Sequence, residues 1–167
     1  MGFDFGFPLP WKHASIWLYS AGGSSNGDAD DPLGSFYFGG FGNNHVDDGE
    51  VKRYRDYYSF PGWEIDEIAG TDFVRTVAEL NLPPIRFREV GSPSFFLKHI
   101  RPAVFVGGLR TDWGEPTERT VGTFGIQLDL EFTIAHRMPM SFSVGYASGF
   151  EDGDRVDDEW MISLKIL

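Results

Sequence analysis

The stretch TFGIQLDLEFTIAH, Thr123 to His136, decides the fold. Phe124, Ile126, Leu128, Leu130, Phe132 and Ile134 alternate with Thr123, Gly125, Gln127, Asp129, Glu131 and Thr133. Successive side chains of a strand point to opposite faces. A period of two therefore predicts one strand with an apolar face and a polar face. Its length, about twelve residues, exceeds the five or six usual in globular strands and suits the roughly nine to eleven that cross a bilayer at a tilt. The stretch reads as a transmembrane β-barrel strand, with the apolar row toward lipid and the polar row toward a lumen.

Composition agrees with that reading. The 167 residues are enough for one domain with a sizeable core. No apolar run reaches the roughly eighteen residues of a membrane-spanning helix. Barrel strands alternate and look only mildly hydrophobic overall. The chain is 41% hydrophobic and 16% aromatic and holds 21 glycines, which suits strands, tight turns and interfacial aromatic girdles better than a helical bundle. A net charge of −11 argues against nucleic acid as a partner, since phosphates demand a basic face. With no cysteine, disulfide scaffolds and thiolate chemistry are excluded. The opening MGFDFGFP lacks the basic-then-apolar pattern of a signal peptide. An exported barrel needs one, so the expectation is that it has been removed or that the chain is a piece of something longer.

Working outward, further alternating segments appear. Strands are predicted over Gly2–Phe7, Trp11–Ser20, Phe73–Leu82, Phe95–Arg110, Met140–Phe150 and Trp160–Ile166. Pro102 predicts a bulge within Phe95–Arg110. Pro8–Pro10 and His136–Pro139 read as tight turns, and Thr111–Arg119 and Glu151–Glu159 as polar loops. Residues 21–71 read as one long loop, with Ser35–Gly42 either a short strand or an ordered part of it. The expected fold is all-β: an antiparallel transmembrane barrel of about seven or eight strands, or the C-terminal half of a larger barrel. The long loop then folds into the lumen.

In order along the chain stand FYFGGFG from Phe36, FPGWE from Phe60, AELNLPP from Ala78, RPAVF from Arg101 and SVGYA from Ser143. Taken together, in that order and spacing, they resemble the bacterial surface antigen, or BamA-like, family of outer-membrane β-barrels. The resemblance covers the chain from about Trp11 onward. Family barrels have more strands than this chain supplies. The resemblance therefore implies a partner half, a truncation or a smaller closed barrel. It also implies that Phe60, Pro61, Gly62 and Trp63 form the lumenal-loop motif. In the family an arginine of that motif pairs with an aspartate of the wall. Here proline stands in the loop motif, and the wall strand reads FVGGL from Phe105, with glycine at the aspartate position. The expectation is that the loop–wall ion pair is lost at both ends, leaving no buried charge unpaired. That loss favours an anchoring or assembly role in the envelope over protein insertion.

The remaining candidates are charged and aromatic residues. Arg75, Glu79, Arg101, Asp129, Glu131 and Lys165 fall on or near inferred lumenal faces. They read either as a transport path or, better suited to a narrow lumen, as an ion network that stiffens it. The acidic clusters Asp28–Asp31, Asp47–Asp48 and Glu151–Glu159 lack the spacing of a calcium loop and read as solvated loops, with divalent bridging to lipopolysaccharide as the alternative. His45, near Asp47, Asp48 and Glu50, lacks the partner histidine that a metal site would want. No nucleophile elbow or phosphate loop is present, so no enzyme activity, metal or cofactor is expected. Trp113, Tyr146 and Trp160 read as interfacial girdle residues. The expected partners are a lipid bilayer, lipopolysaccharide and other envelope chains. The rival is a soluble lipocalin-like binding barrel with the two faces exchanged, and a third reading is a passive pore.

Overall fold

The computed structural model describes residues 1–26, 34–42, 51–88 and 90–167. Asp28–Asp31, His45, Asp47, Asp48 and Glu50 lie outside the described residues. The fold is all-β. Its strands are β1 (Gly2–Pro8), β2 (Ser15–Ser24), β3 (Phe36–Phe38), β4 (Ile68–Gly70), β5 (Asp72–Asn81), β6 (Ile85–Arg86), β7 (Gly91–Ser92), β8 (Phe95–Thr111), β9 (Arg119–Ile134), β10 (Met138–Glu151) and β11 (Asp154–Ile166). Seven of them form one antiparallel sheet in the order β1-β2-β5-β8-β9-β10-β11, and β6 and β7 also pair with β8. Among the described residues no strand pairs with the outer edge of β1 or β11, so the sheet is open.

Register makes the two faces continuous across the sheet. Leu128 pairs with Pro102 on one side and Val144 on the other, and Asp129 pairs with Arg101 and Ser143. On the outer face Phe124, Ile126 and Leu128 are 50%, 42% and 45% exposed. On the inner face Thr123, Gln127 and Asp129 are 2%, 0% and 4% exposed. The alternation in the sequence thus holds, and it is the polar row that is covered. What covers it is the described part of the connection between β2 and β5, residues 34–42 and 51–71. That connection carries a separate two-stranded sheet, β3 with β4, and a 3-10 turn at Arg53–Arg55. Ser35–Gly42 is therefore an ordered part of the long loop. Its Phe38, Phe60, Trp63 and Ile68 form one core cluster with Phe73, Leu109 and Val121 of the sheet. Phe41 and Tyr54 join Phe105, Ala147 and Met161 in a second.

The connections 9–14 and 135–137 lie at one end of the sheet, and 112–118 and 152–153 at the other, where β2 ends and β5 begins. Three expectations need correction. The predicted acidic loop Glu151–Glu159 is a two-residue turn, and Asp154–Glu159 belong to β11. Asp152 and Gly153 have φ of 53° and 90°, the left-handed pair that an Asp-Gly hairpin turn provides. The irregularity in β8 falls between Leu97 and His99, and Pro102 stays in register. On β2 the strand begins only at Ser15, because 9–14 close a turn through the Leu9 and Ala14 amides.

Candidate functional site: the loop seated on the inner face

Small residues on the inner wall make room for the loop. A Cβ on Gly145 would lie 2.8 Å from the Phe41 ring, and one on Gly125 would strike the Phe105 ring, on which Tyr54 stacks at 4.1 Å. This explains the Ser-Gly-Ala row of β10 opposite its Phe-Val-Tyr row. Polar side chains then fix the loop at several heights. Trp63 Nε1–H donates to Gly122 O at 3.1 Å, and the Thr123 hydroxyl donates to Pro61 O. Glu159, on the edge strand β11, accepts the backbone N–H groups of Phe41 and Gly62 at 3.0 and 3.1 Å.

The loop's basic run, Lys52-Arg53-Tyr54-Arg55, meets the wall's acids. Arg55 grips Glu79 through two hydrogen bonds of 2.8 and 2.6 Å. Lys52 Nζ lies 3.3 Å from Asp129 Oδ2, while Gln127 and Ser143 donate to Asp129 Oδ1 at 2.6 and 2.7 Å. Arg53 donates to Ser163 at 2.7 Å. Burial pushes the Lys52 ammonium below its usual range, and the Asp129 charge opposes that shift. Burial, with Glu79 nearby, holds the Tyr54 phenol far above its ordinary value.

All six predicted lumenal residues stand on the inner face, but they do not form one network. Only Arg101 and Glu131 pair with each other, at 2.5 Å, with His99 beside them. Glu79 and Asp129 are held by the loop. Arg75, 3% exposed, donates to Tyr54 O at 3.0 Å. Lys165 is half-buried on the edge strand. Phe60, Pro61, Gly62 and Trp63 are all buried. The motif position Pro61 and the wall position Gly107 carry no charge, and loop–wall ion pairing is carried at other positions, by Arg55–Glu79 and Lys52–Asp129. The sequence reading missed Lys52, Arg53, Arg55 and Glu159. The signal was available, since VKRYRDYY places three basic residues among aromatics within an acidic chain.

Among the described residues no helix is long and apolar enough to cross a membrane. No family model, curated protein or solved structure matches the chain.

Proposed function

We propose that this chain is part of the wall of a bacterial outer-membrane β-barrel of the surface antigen kind. Its long loop is folded into the lumen, and it serves as a structural, anchoring or assembly component of the envelope. The observation that carries the reading is the sidedness of the sheet. The exposed apolar row runs from Phe3, Phe5 and Phe7 on β1 to Trp160, Ile162, Leu164 and Ile166 on β11, while Arg75, Glu79 and Asp129 on the opposite face are buried. Soluble monomers rarely expose contiguous apolar patches beyond a few hundred Å². Hydrocarbon is the solvent that suits such a face.

Dimensions support the same reading. From Phe124 to Ile134 the outer row climbs about 33 Å along β9, or about 25 Å of height at a tilt of roughly 40°. That matches the roughly 25 Å apolar band of outer-membrane barrels. Trp160, its ring tilted against Tyr146 at 4.7 Å, and the exposed Trp113 mark one border, toward the end that bears the long loop. Trp11, Phe95 and Phe96 are exposed toward the other.

An open sheet edge is not tolerated in lipid, so β1 and β11 need completion. In a seven-stranded antiparallel path the first and last strands point the same way. Antiparallel closure therefore calls for an odd number of further strands, and a two-fold copy of this chain about the barrel axis would meet it in parallel. The seated loop, held by ion pairs and aromatic packing, favours a fixed wall over an open conduit. A soluble lipocalin-like barrel would require Phe124, Ile126 and Leu128 inside, and their exposure speaks against it.

Purification tests the proposal. The chain should stay in solution only with detergent and should migrate differently on gels before and after heating. A monodisperse monomer in plain buffer would contradict it.

A further inference from the structure

The loop leaves part of the inner face uncovered. Between residues 55–57 and strands β1, β2 and β5 lies a cavity of about 660 Å³, within the roughly 300–1,000 Å³ of small-molecule sites. Trp17 and Tyr19, two residues apart on β2, line it with rings 13° from parallel and centroids 6.2 Å apart. Gly6 pairs with Trp17 in the ladder, and a Cβ there would come within 2.9 Å of the indole. The indole therefore lies down over β1. Trp17 lines the cavity and is 37% exposed. Arg55 stands over the Tyr19 ring at 5.6 Å, so Trp17 offers the open aromatic surface.

Charges of both signs surround that surface. Arg55, Arg75, Asp4 and Asp56 all line the cavity. Arg75 is 3% exposed, and its Nε–H finds no acceptor among the described residues. That atom is sealed from solvent, so Arg75 lends its charge to the cavity wall and not a free donor. Arg55 is already gripped by Glu79, which leaves Arg75 against Asp4 and Asp56, a wall that disfavours an anion. Hydroxyl groups suit such a wall, because each can donate to a carboxylate. The apolar C–H face of a sugar ring suits the flat indole.

We propose that this cavity binds a neutral saccharide chain, with one ring on Trp17 and its hydroxyls donating to Asp4 and Asp56. The site stands on these side chains alone and does not depend on what borders the outer face of the sheet.

The full chain, held in a zwitterionic detergent whose head group contains no sugar, is titrated with maltohexaose and with chitohexaose. Binding is followed by calorimetry and tryptophan fluorescence. Saturable binding of either sugar is expected. Trp17→Ala should weaken it about tenfold or more, Trp17→Phe should restore part of it, Asp56→Asn should weaken it, and Trp113→Ala should leave it unchanged. No binding of either sugar up to about 10 mM overturns the proposal. So does binding that neither Trp17→Ala nor Asp56→Asn weakens. Displacement by equal inorganic phosphate or choline also overturns it and assigns the cavity to a charged ligand. Asp56→Asn keeps side-chain shape, so it carries the test if Trp17→Ala does not fold.

Discussion

Gly62 of the loop and Gly149 of β10 meet backbone against backbone. A Cβ on Gly62 would lie 2.5 Å from Gly149 N, and a Cβ on Gly149 would lie within 2.2 Å of Gly62 O. Gly62 also has a φ of +88°, which L side chains rarely adopt. This contact seats the loop tip, and the Trp63 and Glu159 hydrogen bonds build on it.

Gly149→Ala should lift the loop from the wall and destabilise the protein by about 1–3 kcal/mol, the usual cost of overpacking. Trypsin, which cuts after Lys52, Arg53 and Arg55, reads the release directly, and cleavage there should speed up. Gly108→Ala is the control, since a Cβ there meets nothing within 4 Å, and it should leave protection unchanged.

Glu79 has a fully buried side chain and depends on Arg55 for its charge partner. Arg55→Ala should cost about 3 kcal/mol, because it strands a buried carboxylate. Arg55→Met combined with Glu79→Leu should cost much less, since no charge is then left behind. Denaturant unfolding of the two variants checks this, and equal losses would show that the pair carries no coupling.

Tyr54 sets a pH dependence whose sign is fixed. Its phenol in the folded protein is held above the ordinary value of 10.0, so above that pH the unfolded chain releases the proton while the folded chain keeps it. This contribution is fully present below pH 10.0 and is lost as pH rises beyond it. Wild type should lose about 1.4 kcal/mol per pH unit there from this residue. Tyr54→Phe should remove that slope, as read by unfolding at pH values on either side.

On the outer face, Leu128→Arg should lower stability in vesicles by about 2–4 kcal/mol, the cost of a cation near the bilayer midplane. In plain aqueous surroundings the same change would be neutral or helpful. Refolding yield and unfolding in vesicles distinguish the two.

The wall was legible because period-two alternation needs no tertiary information. Leu128 and Asp129 could be sent to opposite faces from neighbouring letters, and both lie where alternation put them. Strand β2 was less legible. Trp17 and Tyr19 are aromatic yet point inward, while Ile16 and Leu18 point outward, so polarity does not separate its faces. The β10–β11 turn was misread because acidic composition outweighed the Asp152-Gly153 turn signal. Within the site, the wall acids Glu79 and Asp129 followed from the strands. Their partners Lys52 and Arg55 did not, because a loop has no period from which to infer where its side chains point.

Accessibility of single nitroxide labels in lipid vesicles tests the central claim most directly. Labels at Phe124 and Leu128 should collide with oxygen dissolved in hydrocarbon and be shielded from a water-soluble nickel chelate. A label at Arg101, on the inner face and half-exposed, should show the reverse. If the labels at Phe124 and Leu128 meet the chelate as freely as the one at Arg101, the apolar row does not face lipid and the account of a membrane wall is contradicted.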